Sequence, residues 1–250
     1  MRLTVISPTA DILGDPANAK IISEKDSQLI YGEQFEVEKE RGAYVYGYSL
    51  HDNYYGYVER EQLTQAGKDR THIVTVRSTH LYPEPSFKSR PLFSLSFLSK
   101  MSIADEPPQN GFVKTGTGAF IFAGHLEKIT DFKSEQDLAD TARLYLGTPY
   151  YYGGRSSRGI DCTGLVQQVM VACGKDCPPR DSSDQQGSFG QEIKREDIQK
   201  NDVVYFKGHV GIMVDNNHII NATARHMTTL IEPLDELEKA YGGITHIARI

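Results

Sequence analysis

The sequence lacks the features that would place the protein in or across a membrane. No run approaches the roughly 20 apolar residues that a spanning helix needs. Hydrophobic residues make up 39% of the 250-residue chain, which is enough for real cores. The N-terminal apolar run is broken at Thr4, Ser7 and Pro8, so it does not have the apolar centre of a secretory signal. We therefore expect no membrane partner and a cytoplasmic location.

Basic runs are also missing. The 33 acidic residues outweigh the 27 basic ones and give a formal net charge of −6. A nucleic-acid-binding protein needs a basic face that neutralises phosphates. The composition therefore excludes nucleic acid from the expected partners.

Cysteine is scarce, with only Cys162, Cys173 and Cys177. An odd count in a chain of this length is not a disulfide framework, and reduced thiols fit the cytosol. A zinc site needs paired cysteine or histidine ligands at suitable spacing, and the Cys173–Cys177 pair has no companion motif. We expect neither a metal nor another cofactor.

The length predicts two or three domains. Residues 1–66 and 71–130 both contain short runs typical of strands, separated by turn residues, and neither contains a convincing helical pattern. Short strands at close spacing favour small barrels. We predict two all-β barrels in series, with these strands: Gln34–Glu38, Ala43–Tyr48 and Tyr55–Val58 in the first, and His72–Val76, Phe112–Thr115 and Ala119–Phe122 in the second.

Residues 134–250 have a different character. Ser134 can cap a helix over Glu135–Leu146, and a second helix is predicted from Asp161 to Gly174. Hairpin-like runs and a closing helix near Leu234–Tyr241 follow. Helices first and strands later in one segment favour an α+β domain.

Cys162 is the candidate nucleophile. Asp161 is a good N-cap, so Cys162 falls in the first turn of the second helix, where the helix dipole favours a thiolate and a lowered thiol pKa. Glycines at 153, 154, 159 and 164 permit a sharp backbone entry and close approach of a substrate. The alternative is that Cys162 is a buried small hydrophobic residue, which is the role that helical spacing assigns to Cys173.

A thiol nucleophile needs a base, and His209 has the best setting among eight histidines. Lys207-Gly208 predicts a two-residue hairpin turn after the apolar strand Asp202–Phe206, so His209 opens the next strand. Gly211, two positions on, lies on the same face and leaves room for another chain or a substrate. The other histidines lack such a setting.

Asn221 is the candidate for a third group that orients the imidazole. If Asp215-Asn216-Asn217 is a three-residue loop, position 211 pairs with position 221. His209 and Asn221 are then diagonal neighbours on one sheet face, whereas a loop of even length separates them onto opposite faces. Asn221 as an ordinary polar residue near a strand end is an equally good interpretation.

Several of these segments together resemble the NlpC-type family of papain-like cell-wall peptidases. The resemblance covers roughly the last 115 residues. It rests on the following segments: Gly147–Tyr150, Gly153–Arg155, Asp161–Gln167, Pro179–Ser182, Asn201–Phe206, Gly208–Ile212 and Asn221–Ala222. It implies a papain-like α+β core with the nucleophile at a helix start. The tyrosine-rich segment 55–58 and the turn Tyr31–Glu33 resemble the bacterial Src-homology-3-like domains found ahead of cell-wall hydrolases.

Two positions depart from the NlpC pattern. Thr163 stands where the family has serine, which keeps the hydroxyl. Asn221 stands where the family usually has histidine. An asparagine can still accept a hydrogen bond from a ring N–H, as papain's own asparagine does.

Chains of this kind with two barrels and no signal peptide look like the γ-D-glutamyl-L-diamino acid endopeptidases of peptidoglycan recycling. That resemblance implies hydrolysis of free L-Ala-γ-D-Glu-diaminopimelate peptides, with a muropeptide that carries a free N-terminal L-Ala as partner. It implies a substrate pocket lined by these residues: Tyr150, Asp161, Thr163, Asp181 and Ser182. Tyr54 is a further candidate, because a tyrosine suits the wall of a small pocket. The alternative function is a muropeptide-binding protein with a lapsed catalytic centre.

Overall fold

The chain forms two compact units, Met1–Phe132 and Lys133–Ile250. The structure, a computed structural model, describes residues 1–15, 25–65, 69–132 and 137–250. None of the helices in these ranges combines the length and apolar character needed to cross a membrane.

The described part of the first unit is built from short β-strands. Their bounds are β1 Arg2–Val5, β2 Thr9–Leu13, β3 Lys25–Ile30, β4 Gln34–Arg41, β5 Tyr44–Ser49, β6 Tyr55–Glu59, β7 Leu63–Gln65, β8 His72–Val74, β9 Ser78–Leu81, β10 Phe93–Ser96, β11 Lys100–Met101, β12 Phe112–Lys114, β13 Phe120–Phe122 and β14 Leu126–Lys128. Short 3₁₀ turns cover Arg60–Gln62 and Ala123–His125.

Strands β1 to β7 form one sheet in the order β3-β2-β6-β5-β4-β1-β7. Alternate residues of each strand point into a single apolar cluster, for example Phe35 and Val37 of β4 and Val45 of β5. Because all seven strands bury residues in the same cluster, the sheet curls around it. The three strands predicted in this segment are confirmed as β4, β5 and β6.

The remaining strands of this unit form three small antiparallel sheets around a second apolar cluster that includes Val74, Leu95 and Ile121. Tyr31, which follows β3, also packs in this cluster. The predicted strands here are confirmed as β8, β12 and β13. The expected all-β character of the N-terminal region is correct.

The second unit mixes helices and strands. Their bounds are α1 Leu138–Ala142, β15 Arg155–Ser156, β16 Gly159–Ile160, α2 Cys162–Ala172, α3 Ser182–Gln185, β17 Gln191–Glu192, β18 Val203–Phe206, β19 His209–Met213, β20 His218–Thr223, β21 Thr228–Pro233, α4 Leu234–Tyr241 and β22 Ile244–Arg249, with 3₁₀ turns at Arg143–Tyr145 and Arg195–Asp197.

A six-stranded antiparallel sheet, in the order β17-β22-β18-β19-β20-β21, forms the centre of this unit. Helix α2 packs against β19 and β20, and α1 packs against α2. Leu234 and Leu237 of α4 pack with Phe206 and Met213 of the sheet. This is the predicted α+β architecture, and it brings the start of α2 to the middle of the sheet.

The helices agree with the sequence patterns except at the first one. Helix α1 is shorter than the predicted span 135–146, and its cap is Asp137, whose carboxylate accepts the Asp140 N–H at 3.1 Å. After Ala142 the chain tightens into a 3₁₀ turn and leaves the helix at Gly147, whose φ of +74° suits glycine. The predicted cap Ser134 lies outside the described residues. Helices α2 and α4 confirm the other two predictions.

Candidate active site

Cys162 is the first residue of α2 and is buried, with 8% of its surface exposed. Its sulfur is hydrogen bonded by the backbone of Thr163 and of Val210, the residue that follows His209. The thiol therefore lies between the start of the helix and the first residues of β19. This contact joins the two segments that the sequence identified as nucleophile and base.

Asp161 holds the start of α2 in place. Its Oδ1 accepts the Gly164 N–H at 2.8 Å and the Thr163 hydroxyl at 3.2 Å. Its Oδ2 accepts the Gly153 N–H at 2.8 Å and Nη2 of Arg180 at 2.5 Å. Four donors occupy a carboxylate that has about four acceptor positions. Asp161 and Arg180 are thus a buried ion pair, 5% and 3% exposed.

This network bears on two predicted substrate ligands. The Thr163 hydroxyl donates to Asp161 and accepts from Arg180 Nη1, and Thr163 is buried. Both Asp161 and Thr163 therefore direct their polar atoms at the protein itself. A substrate-binding role for either residue stays a prediction, and the geometry describes an anchor for the nucleophile helix.

The glycines near Cys162 make room for protein backbone. A Cβ on Gly164 would lie 2.3 Å from the Gly154 carbonyl oxygen, so α2 can approach the β15–β16 segment only with glycine at this position. A Cβ on Gly211 would lie 2.8 Å from Ile219 side-chain atoms. The space beside His209 is thus filled by β20, which is the first of the two possibilities that the sequence left open.

His209 and Asn221 are joined by a hydrogen bond of 3.0 Å between Nε2 and Oδ1. The hairpin β18–β19 places Phe206 opposite His209, and β19–β20 pairs Ile212 with Ile220. That pairing has the sum of 432 expected from a three-residue loop, so the predicted register is confirmed. Both side chains are fully buried or nearly so, at 3% and 0% exposure.

Three residues that the sequence reasoning missed extend this pair. Nδ2 of Asn221 donates to Oε1 of Glu232 at 3.0 Å, and Nη1 of Arg225 donates to Oε2 of the same carboxylate at 3.1 Å. The Tyr241 ring stacks on the His209 imidazole, with centroids 4.4 Å apart and planes 2° from parallel. One local signal was present, since Glu232 is an acidic residue within the apolar strand β21.

Burial governs the protonation of the candidate pair. It raises the pKa of Cys162 to about 12, and the nearby Asp161 adds to this, while Arg180 and the backbone hydrogen bonds oppose it. Burial also lowers the pKa of His209 to about 4, against the opposing effect of the Asn221 hydrogen bond. The expectation of a lowered thiol pKa is wrong for this structure, because desolvation outweighs the helix end. Burial therefore favours a neutral thiol and a neutral imidazole.

The other candidates occupy different settings. Tyr150 is half-buried beside Cys162, and burial together with the charges of Cys162 and Asp161 raises the pKa of its phenol. Asp181 is exposed and precedes α3, where Ser182 is partly exposed. Tyr54 belongs to the first unit and packs against the apolar cluster of β1 to β7.

This arrangement supports acyl transfer to sulfur. A neutral imidazole with its proton on Nε2 presents an unprotonated Nδ1 that can accept the thiol proton. The imidazolium formed in that step is stabilised by Asn221 and, through it, by the Glu232 carboxylate. Across the described residues, no group of three or more histidine, cysteine or acidic side chains is placed to hold a metal ion.

An α+β fold with a thiol at a helix start and an imidazole held by an amide on the facing sheet defines the class of papain-like cysteine hydrolases. Comparison with known proteins gives the same class. Residues 147–241 match the NlpC/P60 family, and residues 19–63 match the bacterial dipeptidyl-peptidase Sh3 domain.

Individual relatives agree with both matches. A Haemophilus influenzae protein named "Probable endopeptidase" is 36% identical over 95 residues, which are 35% of this chain and 58% of that protein. A Bacillus cereus protein named gamma-D-glutamyl-L-lysine dipeptidyl-peptidase is 25% identical over 241 residues, 84% of this chain and 71% of that protein. The crystal structure of an NlpC/P60 family protein from Bacillus cereus covers 100% of this chain and 99% of its own, with a TM-score of 0.83 at 20% identity, and shows the same fold.

The chain therefore carries an NlpC/P60 cysteine peptidase domain, matched over residues 147–241, with a bacterial SH3-like all-β region ahead of it. Two relatives that match most of this chain, from Bacillus cereus and Bacillus subtilis, are named gamma-D-glutamyl-L-lysine dipeptidyl-peptidase.

Proposed function

We propose that the protein hydrolyses the γ-D-glutamyl-L-diamino acid bond of free peptidoglycan-derived peptides that begin with L-Ala. The observation that carries the proposal is the Cys162, His209 and Asn221 arrangement within an NlpC/P60 domain. The specificity is supported by the relatives matched along most of this chain, which are named for a γ-D-glutamyl-L-lysine bond. The diamino acid is lysine or diaminopimelate.

The reaction would proceed through a thioester. As the Cys162 sulfur attacks the γ-carbonyl carbon of D-Glu, His209 Nδ1 accepts the thiol proton, and the carbonyl becomes an oxyanion. Collapse of this intermediate breaks the C–N bond, and His209 returns the proton to the departing amine of the diamino acid. Water, deprotonated by the same nitrogen, then hydrolyses the thioester. A neutral resting pair suits this sequence, since the base begins unprotonated.

The residues of the second unit proposed to recognise the substrate are Tyr150, Asp181 and Ser182. Tyr150 is placed beside Cys162, and its protonated phenol can donate a hydrogen bond to a substrate carbonyl. The exposed Asp181 carboxylate is a candidate partner for the L-Ala ammonium. It takes this proposed role in place of Asp161, whose charge is already paired with Arg180.

Cleavage of matched tripeptides tests the proposal. The purified protein should release L-Ala-γ-D-Glu from L-Ala-γ-D-Glu-L-Lys and from its diaminopimelate counterpart, measured by chromatography. It should not cleave the α-linked isomer or the N-acetylated peptide. Cys162→Ala should abolish release. Peptide binding by both proteins without any cleavage by the wild type would instead support the alternative of a lapsed muropeptide-binding protein.

A controlled comparison tests the amine-binding role. Asp181→Asn should raise KM for the free peptide with little change in kcat, because it removes the charge proposed to bind the amine. Asp184→Asn, at a second exposed acid of the same segment, is the matched control. Equal effects of the two variants would assign the change to general electrostatics.

The proposed site of action is the cytosol, where free muropeptides are recycled. Fractionation of the source cells, with an antibody against the protein and markers of each compartment, measures this directly. Recovery with the wall or membrane fraction would contradict it.

A further inference from the structure

A buried chain of hydrogen bonds runs from His209 away from the nucleophile. Asn221 accepts from the ring with Oδ1 and donates with Nδ2 to Glu232, whose second oxygen accepts from Arg225. Glu232 is 8% exposed and Asn221 is completely buried. Burying the Glu232 carboxylate costs free energy unless it is hydrogen bonded, so its bonds to Asn221 and Arg225 are needed to hold it there.

We propose that Glu232 is a positioning residue that sets the orientation of the Asn221 amide and, through it, the tautomer of His209. The inference rests on Cys162 and His209 acting as the catalytic pair, and it goes beyond the substrate assignment.

An asparagine side chain can face a neighbour with either of two ends. It has an acceptor end and a donor end of nearly equal shape, so either end fits the same space. If the oxygen faces His209, the ring must carry its proton on Nε2, and Nδ1 is free to accept the thiol proton. If the amide is reversed, Nδ2 donates to Nε2, the ring proton moves to Nδ1, and the base is lost.

Glu232 removes this ambiguity. An ionised carboxylate accepts hydrogen bonds and donates none, so only the NH₂ end of Asn221 can face it. Arg225 donates to the other carboxylate oxygen from a guanidinium that has no acceptor. Donation therefore runs from His209 Nε2 through Asn221 to Glu232, which also accepts from Arg225, and His209 Nδ1 is left as an acceptor. Glu232 thus explains how an asparagine can orient the His209 ring. A carboxylate at position 221 could only accept a hydrogen bond and would not need Glu232 to fix its orientation.

The substitution Glu232→Gln tests the proposal, because it should reverse the chain. Arg225 still needs an acceptor, so the glutamine presents its oxygen to Arg225 and its NH₂ to Asn221. Asn221 must then turn its oxygen towards Gln and its NH₂ towards His209. We expect kcat to fall at least about tenfold, with KM nearly unchanged, because the base is in the wrong tautomer.

A compensating double substitution is the matched control. In Asn221→Asp with Glu232→Gln, the carboxylate and the amide exchange places. Position 221 accepts from His209 Nε2–H and from the new amide, whose oxygen accepts from Arg225. We expect the double variant to recover most of the lost kcat, whereas Asn221→Asp alone sets two carboxylates against each other and stays impaired. Additive losses in this cycle would overturn the proposal.

The tautomer itself is read by ¹⁵N NMR of the histidine-labelled protein, with His209→Gln to assign the signal. Expected are Nε2–H in the wild type, Nδ1–H in Glu232→Gln and Nε2–H again in the double variant. This readout needs no substrate, so it separates failure of the inference from failure of the proposed peptide specificity. An unchanged tautomer in Glu232→Gln would overturn the inference. If Glu232→Gln does not fold, the double variant Asn221→Asp with Glu232→Gln decides the question. Failure of that double variant to fold or to cleave the peptide would overturn the inference.

Discussion

Protonation of His209 should by itself make acid lower the free energy of unfolding of the second unit by a measurable amount. Burial lowers the pKa of this imidazole from the ordinary value of 6.5 to about 4. Between those values the unfolded chain binds a proton that the folded chain does not, so stability is present above pH 6.5 and is lost as pH falls. The linkage relation gives a loss of about 2 kcal/mol near pH 5 and about 3 kcal/mol near pH 4.

Hydrogen exchange followed by mass spectrometry measures this for the second unit separately, through amides of α2, β19 and β20. Other groups also titrate in this range, so the decisive quantity is a difference between variants. His209→Gln keeps a donor for Asn221 but cannot titrate, and its opening free energy should fall by about 2 kcal/mol less than that of the wild type between pH 7.5 and pH 5. His226→Gln, in the exposed turn between β20 and β21, should behave like the wild type. An equal fall in all three proteins would refute the burial argument.

Further outcomes follow from the same site. Cys162→Ala should abolish peptide turnover and leave the thermal midpoint nearly unchanged. Cys173→Ala, at a buried core thiol, should instead lower the midpoint and keep turnover. Loss of turnover in both variants would contradict the assignment of Cys162 as the nucleophile. Because burial raises the pKa of Cys162 to about 12, its alkylation by iodoacetamide should keep rising with pH beyond neutrality, and a plateau near pH 7 would indicate a thiolate–imidazolium pair instead. Tyr241→Phe should retain kcat by preserving the ring stack on His209, and Tyr241→Leu should lower it, as steady-state kinetics will show. Asp161→Asn should lower the free energy of unfolding by about 3 kcal/mol, since it leaves Arg180 buried without its counter-ion. Adding Arg180→Met should recover much of this loss. An unchanged urea midpoint in the single variant would favour a substrate-binding role for Asp161.

Much of the architecture was predictable because it depends on short-range rules. The alternation of apolar residues in β4 to β6 follows from the two-residue period of a strand, and Asp161 caps α2 through a contact with Gly164 only three residues away. The first helix shows the limit of such rules. Its cap moved to Asp137, whose carboxylate also accepts from Asn201, more than sixty residues along the chain.

The sequence by itself determined the position of Cys162 at a helix start, and it offered the pairing of His209 with Asn221 as one of two equal interpretations. Both depend on local quantities, namely the length of one loop and the identity of one capping residue. Only the tertiary structure decided the surroundings of these groups. Glu232, Arg225 and Tyr241 reach the site from β21, the turn before it and α4, and the one local signal among them was the acidic Glu232 within β21. The protonation of the pair was likewise decided by burial, because desolvation depends on everything packed around a group, whereas a helix dipole depends only on the helix that carries it.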